Sequence, residues 1–86
     1  MKVAEVNVER KTWDIEVYTN KNGNKFIKAK CITIYGTLLE VHLYKMYDGV
    51  VIAYEVNHNL VDEKTLTELK KAMIRLREQY CIERNR

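Results

Sequence analysis

Hydrophobic and polar residues alternate along the N-terminal part of the chain, most clearly from Lys25 to Val56. That stretch reads KFIKAKCITIY, Gly-Thr, LLEVHLYKM, Tyr-Asp-Gly and VVIAYEV. Runs rich in Ile, Val, Thr and Tyr that are separated by glycine-bearing turns are typical of antiparallel hairpins. We therefore predict three consecutive strands over residues 25–35, 38–46 and 50–56.

Two further alternating runs, residues 2–9 and 12–19, come before this stretch and are separated by the charged pair Arg10-Lys11. A period of two with one apolar face predicts two half-buried strands. Trp13 begins the apolar face of the second run, so we expect it in the core, with base stacking as the alternative.

A turn is predicted at residues 20–24, which read Asn-Lys-Asn-Gly-Asn. The pair Asn22-Gly23 is favoured where a hairpin needs a positive φ. The tip of this turn carries Lys21, which makes it a natural contact point for a polyanion.

The C-terminal segment shows the spacing of a helix. Asp62 is a good N-cap, and Glu63 follows it in the first turn. Apolar residues then recur at intervals of three and four, namely Leu66, Leu69, Met73, Leu76 and Tyr80. This pattern predicts a long helix over residues 62–84 with one apolar stripe.

These elements predict a single α+β domain over residues 1–86. An antiparallel β-meander sheet of about five strands, residues 1–57, is expected to carry one long C-terminal helix packed on it. The central strands have apolar residues on both faces, so the pattern leaves open which face the helix covers. We expect a homodimer, which would bury the second face.

Charge is distributed unevenly on a chain whose formal net charge is only +3. No acidic residue occurs between Glu16 and Glu40, and a second run without acids lies in the helix. Basic clusters with a nearby aromatic can bind phosphates and stack a base, although solvated faces look the same in a sequence. The candidate nucleic-acid-binding residues are Lys21, Lys25, Phe26, Lys28, Lys30, Lys70, Lys71, Arg75 and Arg77.

Motifs for catalysis or metal binding are absent from the sequence. The chain has no serine, and a Cys31–His42 dyad is conceivable but lies in no recognisable nucleophile context. Cys31, Cys81, His42 and His58 show no paired metal-ligand spacing. We therefore expect no catalytic residues, no metal, no cofactor and no enzymatic activity.

The cellular location is predicted from the cysteines and from the absence of targeting segments. Two distant cysteines are too few for a disulfide scaffold, and reduced thiols fit a cytoplasmic protein. No signal peptide and no apolar run of about 20 residues occurs, so we expect no membrane association.

Three segments resemble the SpoVG family of small nucleic-acid-binding regulators. The opening MKVAEVNVER resembles the family's first strand, FIKAKCITIYGTLLEVHLYKM its central hairpin, and KTLTELKKAMIRLREQY its closing helix. The chain departs from the family after the last strand, where residues 53–56 read Ala-Tyr-Glu-Val in place of Ala-Met-Pro-Ser. The resemblance implies a dimer that binds DNA or RNA without a cofactor, through basic residues near the helix and the end of the sheet, which here are Lys70, Lys71, Arg75 and Arg77.

Two functional hypotheses follow from the residues. The first is a non-enzymatic nucleic-acid-binding regulator that contacts phosphates through the lysine-rich strand and turn and through the helix flank. The alternative is a small protein-binding inhibitor or adaptor, of the kind that phages and mobile elements direct against a host protein. Exposed Tyr and Ile side chains would then be the hot spots.

Overall fold

A computed structural model of the chain describes residues 1–45, 51–57 and 60–81, with residues 44, 45 and 51–56 described as backbone. The elements in chain order are β1 Lys2–Val8, β2 Lys11–Thr19, β3 Lys25–Ile32, β4 Leu38–Lys45, β5 Val51–Val56 and α1 Glu63–Tyr80. The predicted positions Met46, 47–49, Val50, His58 and 82–84 lie outside the described residues.

Consecutive strands are hydrogen-bonded neighbours in the order β1-β2-β3-β4-β5, and each pair is antiparallel. The short connections leave no room for crossovers, so sequence neighbours become sheet neighbours. The predicted α+β class, an antiparallel sheet with one C-terminal helix, is confirmed.

The helix covers the sheet face formed by the alternating apolar residues of β2, β3 and β4. Trp13 is fully buried there, as the alternation predicts, and it is therefore unable to stack on a base. The core consists of Trp13, Ile15, Val17, Ile27, Ala29, Cys31, Leu39, Val41, Leu43, Leu69 and Met73. The sequence pattern did not decide which face of the sheet the helix covers. The structure decides it, because every second residue of these strands points toward α1.

Helix α1 begins as predicted. Asp62 is the N-cap, and its Oδ1 accepts a hydrogen bond from the backbone N–H of Thr65 at 2.7 Å. Leu69 and Met73 are fully buried, while Tyr80 at the end of the stripe is partly exposed. Within the described residues the helix ends at Tyr80 with Cys81 as C-cap.

Strand β3 ends earlier than the sequence predicts. The predicted strand ran to residue 35, but β3 ends at Ile32 and a turn follows. Thr33 closes this turn, because its N–H donates to the carbonyl of Thr37 and its Oγ1 accepts from the N–H of Thr37. Gly36 supplies the left-handed conformation with φ of 83°. These contacts override the strand preference of Ile34 and Tyr35.

The β1–β2 connection is a two-residue turn made of Glu9 and Arg10, with φ of 50° and 67°. Positive φ at both central residues is the conformation of the turn that matches the twist of a hairpin, and Asn-Gly is preferred there. A side chain at positive φ is unfavourable, so this turn carries backbone strain.

Candidate interaction surfaces

The sheet face opposite the helix, here called the open face, carries the two lysines of β3 that the sequence singles out. Lys28 and Lys30 both lie on it, and both are ion-paired with Glu16 of the neighbouring strand. Their Nζ atoms lie 3.8 Å and 3.3 Å from the Glu16 carboxylate oxygens. All three side chains are half-buried, so these lysines are engaged within the sheet.

A second network on the open face joins β2 and β4. The Nε2 of His42 lies 2.7 Å from a carboxylate oxygen of Glu40, and its Nδ1 lies 3.1 Å from the hydroxyl of Tyr18. The Tyr18 ring also contacts Phe26 and lies below the Lys28 ammonium. Phe26, the predicted stacking residue, is therefore part of a packed aromatic cluster.

The lysines of the open face are offset by carboxylates within the part of the chain that the structure describes. Three lysines, Lys2, Lys28 and Lys30, share it with four carboxylates, Glu5, Asp14, Glu16 and Glu40. The segment from Val17 to Leu39 contains no acidic residue in the sequence, but acidic residues of neighbouring strands lie beside it in the folded sheet. Antiparallel pairing brings Glu16 into contact with Lys28 and Lys30, and it places Glu40 opposite Lys30 in the register of β3 with β4.

The basic residues of the helix lie on the other side of the sheet from Lys28 and Lys30. They are Lys70, Lys71, Arg75 and Arg77. Arg77 meets the β2–β3 hairpin, where Asn24, Lys25, Phe26, Arg77 and Cys81 line a groove of about 250 Å³. Lys21 lies in the β2–β3 turn beside it. The structure therefore brings Lys25 and Arg77 together and separates them from the lysines of the open face.

The structure does not bring Cys31 and His42 together. Cys31 is buried in the core beside the helix, whereas His42 lies on the open face, so the sheet separates the two residues of the conceivable dyad. Burial raises the pKa of the Cys31 and Cys81 thiols above their ordinary value of 9.0, which keeps them protonated near neutral pH. Among the described residues no group of three potential metal ligands comes together.

The sheet divides at one end. The register of β2 with β3 ends at the pair Asp14 and Lys30. Beyond it, residues 11–13 of β2 remain paired with β1, and residues 31–32 of β3 remain paired with β4. The two hairpins thus separate at a point we call the fork, formed by residues 11–13 and 31–33. Their facing strand edges have no strand partner there.

The same end of the sheet exposes large apolar side chains. Ile32 is 66% exposed, Ile34 93% and Tyr35 87%, and all three lie at the end of β3 or in the β3–β4 turn. We call these three residues the apolar tip. Leu60, just before the helix, is also exposed. A contiguous group of exposed Ile and Tyr residues on a small domain is typical of a site for another macromolecule.

A groove of about 610 Å³ lies in the fork beside the apolar tip. Its lining comes from the β1–β2 turn, both arms of the fork and the β3–β4 turn: Glu9, Arg10, Lys11, Thr12, Cys31, Ile32, Thr33, Ile34 and Tyr35. The strained residues Glu9 and Arg10 form one wall together with Lys11, and the apolar tip forms the other. We call it the fork groove.

The fork groove was missed by the sequence reasoning, which treated Arg10-Lys11 as a break and placed Ile34 and Tyr35 inside a strand. The sequence does contain residues that predict the β3–β4 turn, namely Thr33, Gly36 and Thr37. A threonine followed by glycine three residues later is typical of a turn closed by a side chain. With that turn recognised, Ile34 and Tyr35 are predicted to be exposed.

Comparisons with known proteins add no relative for this chain. No family model matches it, and neither the curated proteins nor the solved structures contain a match. The resemblance to the SpoVG family therefore stays a prediction. Among the helices of the described residues, none combines the length and apolar character needed to cross a membrane.

Proposed function

We propose that this chain is a non-enzymatic protein-binding module that docks through the apolar tip. The observation that carries the proposal is the exposure of Ile34 and Tyr35 in the β3–β4 turn, next to the exposed Ile32 at the end of β3. Burying such a side chain against a partner contributes about 1.5–3 kcal/mol. A few anchors of this size, with Tyr among the residues enriched at hot spots, can support a specific complex.

The turn that presents these residues is fixed by its own hydrogen bonds. The N–H of Thr37 donates to Thr33 Oγ1 at 3.1 Å, and the N–H of Gly36 donates to the carbonyl of Thr33 at 2.9 Å. A turn held in this way orders the tip before binding, so less conformational entropy is lost in a complex.

The carboxylates that offset the lysines of the open face support the same proposal. A surface built to track phosphates has an excess of cations, whereas Lys28 and Lys30 share the carboxylate of Glu16. The protein-binding alternative inferred from the sequence is therefore favoured over phosphate binding by these lysines. Both cysteines are free thiols, which supports a cytoplasmic site of action.

A partner captured from lysate of the source cell and then purified tests the proposal. Titration calorimetry with that partner is expected to show at least a 30-fold loss of affinity, roughly 2 kcal/mol, for Ile34→Gln/Tyr35→Gln. The matched control is Ile74→Gln/Tyr80→Gln, which removes two partly exposed apolar residues from the helix. Equal affinity of the two double variants would contradict the proposal.

Self-association is the main competing use of the same residues, because a homodimer was predicted from the apolar strands. Light scattering during gel filtration distinguishes the two. A dimer that Ile34→Gln/Tyr35→Gln converts to a monomer would mean that a second copy occupies the apolar tip, and the proposal for a different partner would fail.

Nucleic-acid binding is a second candidate, favoured by the juxtaposition of Lys25 and Arg77 in one groove. Fluorescence anisotropy with labelled single- and double-stranded oligonucleotides tests it at low and moderate salt. If this candidate is right, binding falls steeply with salt because counterions are released. Lys25→Glu/Arg77→Glu should then weaken binding more than Lys28→Glu/Lys30→Glu, and an absence of binding at low salt would exclude it.

A further inference from the structure

The two arms of the fork present strand edges that the domain itself does not pair. Residues 11–13 are bonded to β1 on one side, and residues 31–32 to β4 on one side. The sides that face each other across the groove carry main-chain donors and acceptors beyond the last β2–β3 pair. An unpaired strand edge is a template for another extended segment.

The side chains around these edges determine which segment fits. Ile32, Ile34 and Tyr35 give an apolar wall, and Arg10 and Lys11 give a basic one. Glu9 also lines the groove, but its carboxylate lies 3.6 Å from the Nζ of Lys64 of the helix.

The two residues of the basic wall differ in how close a carboxylate of the domain lies to them. Lys11 interacts electrostatically with Asp62, whose carboxylate caps the helix through hydrogen bonds from Thr65. Arg10 takes part in no ion pair within the described part of the chain. A ligand with acidic side chains would supply the complementary charge for the guanidinium of Arg10.

We propose that the fork groove binds an extended segment of a partner protein in which acidic and apolar residues alternate. The segment adds as a strand to an exposed edge of the fork, its apolar side chains contact Ile32 and Tyr35, and its carboxylates contact Arg10 and Lys11. Alternation is required because successive side chains of a strand point to opposite faces. This inference rests on the proposed function and specifies the partner's chemistry.

A random dodecamer peptide library displayed on phage is the probe for the experiment. Selection on the full chain is expected to enrich peptides that alternate acidic and apolar residues. Synthetic copies should bind at least tenfold more weakly to Arg10→Glu/Lys11→Glu. The matched control is Lys21→Glu/Lys25→Glu at the opposite end of the sheet, which should bind them unchanged. Methylation of alternate backbone nitrogens of the peptide should also reduce binding at least tenfold, because it removes donors to a strand edge.

The failures of the inference and of the proposed function are distinguishable. In one outcome, the selected peptides lose affinity for Ile34→Gln/Tyr35→Gln but bind equally to both charge-reversal variants. That result would support the proposed function and overturn the preference for acidic residues. Peptides insensitive to backbone methylation would overturn strand addition. Peptides insensitive to Ile34→Gln/Tyr35→Gln would show that the apolar tip is not the docking site. A library that yields no binder overturns the extended-segment ligand, while the purified-partner titration still tests the proposed function.

Discussion

At one end of the sheet, the β2–β3 turn places Gly23 where φ is positive, and Asn20 accepts two backbone hydrogen bonds that close the turn. At the opposite end, the β1–β2 turn places Glu9 and Arg10 at positive φ. The β2–β3 turn at the first end follows the preferences of isolated hairpins and consists of polar residues and glycine. The second departs from them and exposes Ile34 and Tyr35. We call the first the hairpin end and the second the fork end.

The fork end holds every non-glycine residue with a positive φ in the described parts of the chain. These are Glu9, Arg10 and Asn57. Strained backbone costs about 1–3 kcal/mol per residue and persists where the surrounding structure maintains it, often at binding sites. Departures from local preference are expected at functional sites. The coincidence of strain, exposed apolar residues and a groove therefore supports the proposal that the fork end is the interacting end.

The largest expected effect comes from giving the fork end the turn residues that the hairpin end has. Glu9→Asn/Arg10→Gly places the preferred pair at both positive φ angles, so we expect a gain of about 2 kcal/mol in the free energy of unfolding. The lost ion pair of Glu9 with Lys64 is exposed and contributes little. Urea denaturation measures the change.

The reverse exchange at the hairpin end is the control for this prediction. Asn22→Glu/Gly23→Arg puts a side chain at the positive φ of Gly23 and should destabilise the fold by a similar amount. If the exchange at residues 9 and 10 leaves the unfolding midpoint unchanged, the β1–β2 turn is not strained and the contrast between the two ends fails.

A smaller effect is expected at the two glycines with positive φ, of which one lies at each end. Gly23 and Gly36 have φ of 84° and 83°, and an added Cβ would meet no atom within 4 Å at either position. Only backbone strain then opposes alanine, so Gly23→Ala and Gly36→Ala should each cost about 1 kcal/mol. Thermal unfolding of both variants measures this. A much larger loss for Gly36→Ala would mean that the β3–β4 turn depends on packing that the present contacts do not include.

The alternation of side chains was sufficient to predict much of the fold. Trp13, Ile15 and Val17 lie in the core because a period of two assigns them to one face, and Asp62 caps the helix because its oxygen matches the unpaired N–H groups. The predicted extent of β3 was wrong, because the strand ends at Ile32 and not at residue 35. Ile34 and Tyr35 favour strands, but the side chain of Thr33 closes a turn around them.

The interaction surfaces were harder to predict, because they depend on pairing between distant residues. Lys28 and Lys30 look like an unopposed basic cluster until the register places Glu16 beside them. Likewise, nothing in the composition of residues 11–13 shows that their pairing with β3 stops. The fork depends on where two hairpins diverge, which is a property of the whole sheet.

The cap of the helix anchors the fork end, and its removal should have a measurable effect that depends on pH. Hydrogen bonds from Thr65, first from its side chain and then from its backbone, lower the pKa of the Asp62 carboxyl below its ordinary value of 3.8. A lowered folded-state pKa stabilises the fold above the ordinary value, and this contribution is lost as the pH falls through the lower one. Asp62→Ala should therefore lower the thermal midpoint at pH 7, and it should lower it by less at acid pH, where a protonated carboxyl retains only a neutral acceptor for the Thr65 N–H.

The matched variant Asp62→Asn separates the cap from the charge. Asparagine retains the oxygen that accepts the Thr65 N–H, so it should keep most of the stability at pH 7. Its midpoint should also depend less on pH below about 4 than that of the unchanged chain. Equal pH profiles for Asp62→Asn and the unchanged chain would contradict the contribution of the carboxylate charge.

The smallest effect compares the side chains that close one turn at each end. Asn20 Oδ1 accepts from the N–H groups of Asn22 and Asn24 at 2.9 and 3.0 Å, whereas Thr33 Oγ1 accepts from Thr37 alone at 3.1 Å. Water replaces part of each lost bond, so Asn20→Ala should cost about 1 kcal/mol and Thr33→Val about half of that. Urea denaturation of both variants shows which of the two loses more stability. If Thr33→Val is the more costly, the single threonine bond maintains more than its own turn, and the conformation of the apolar tip depends on it.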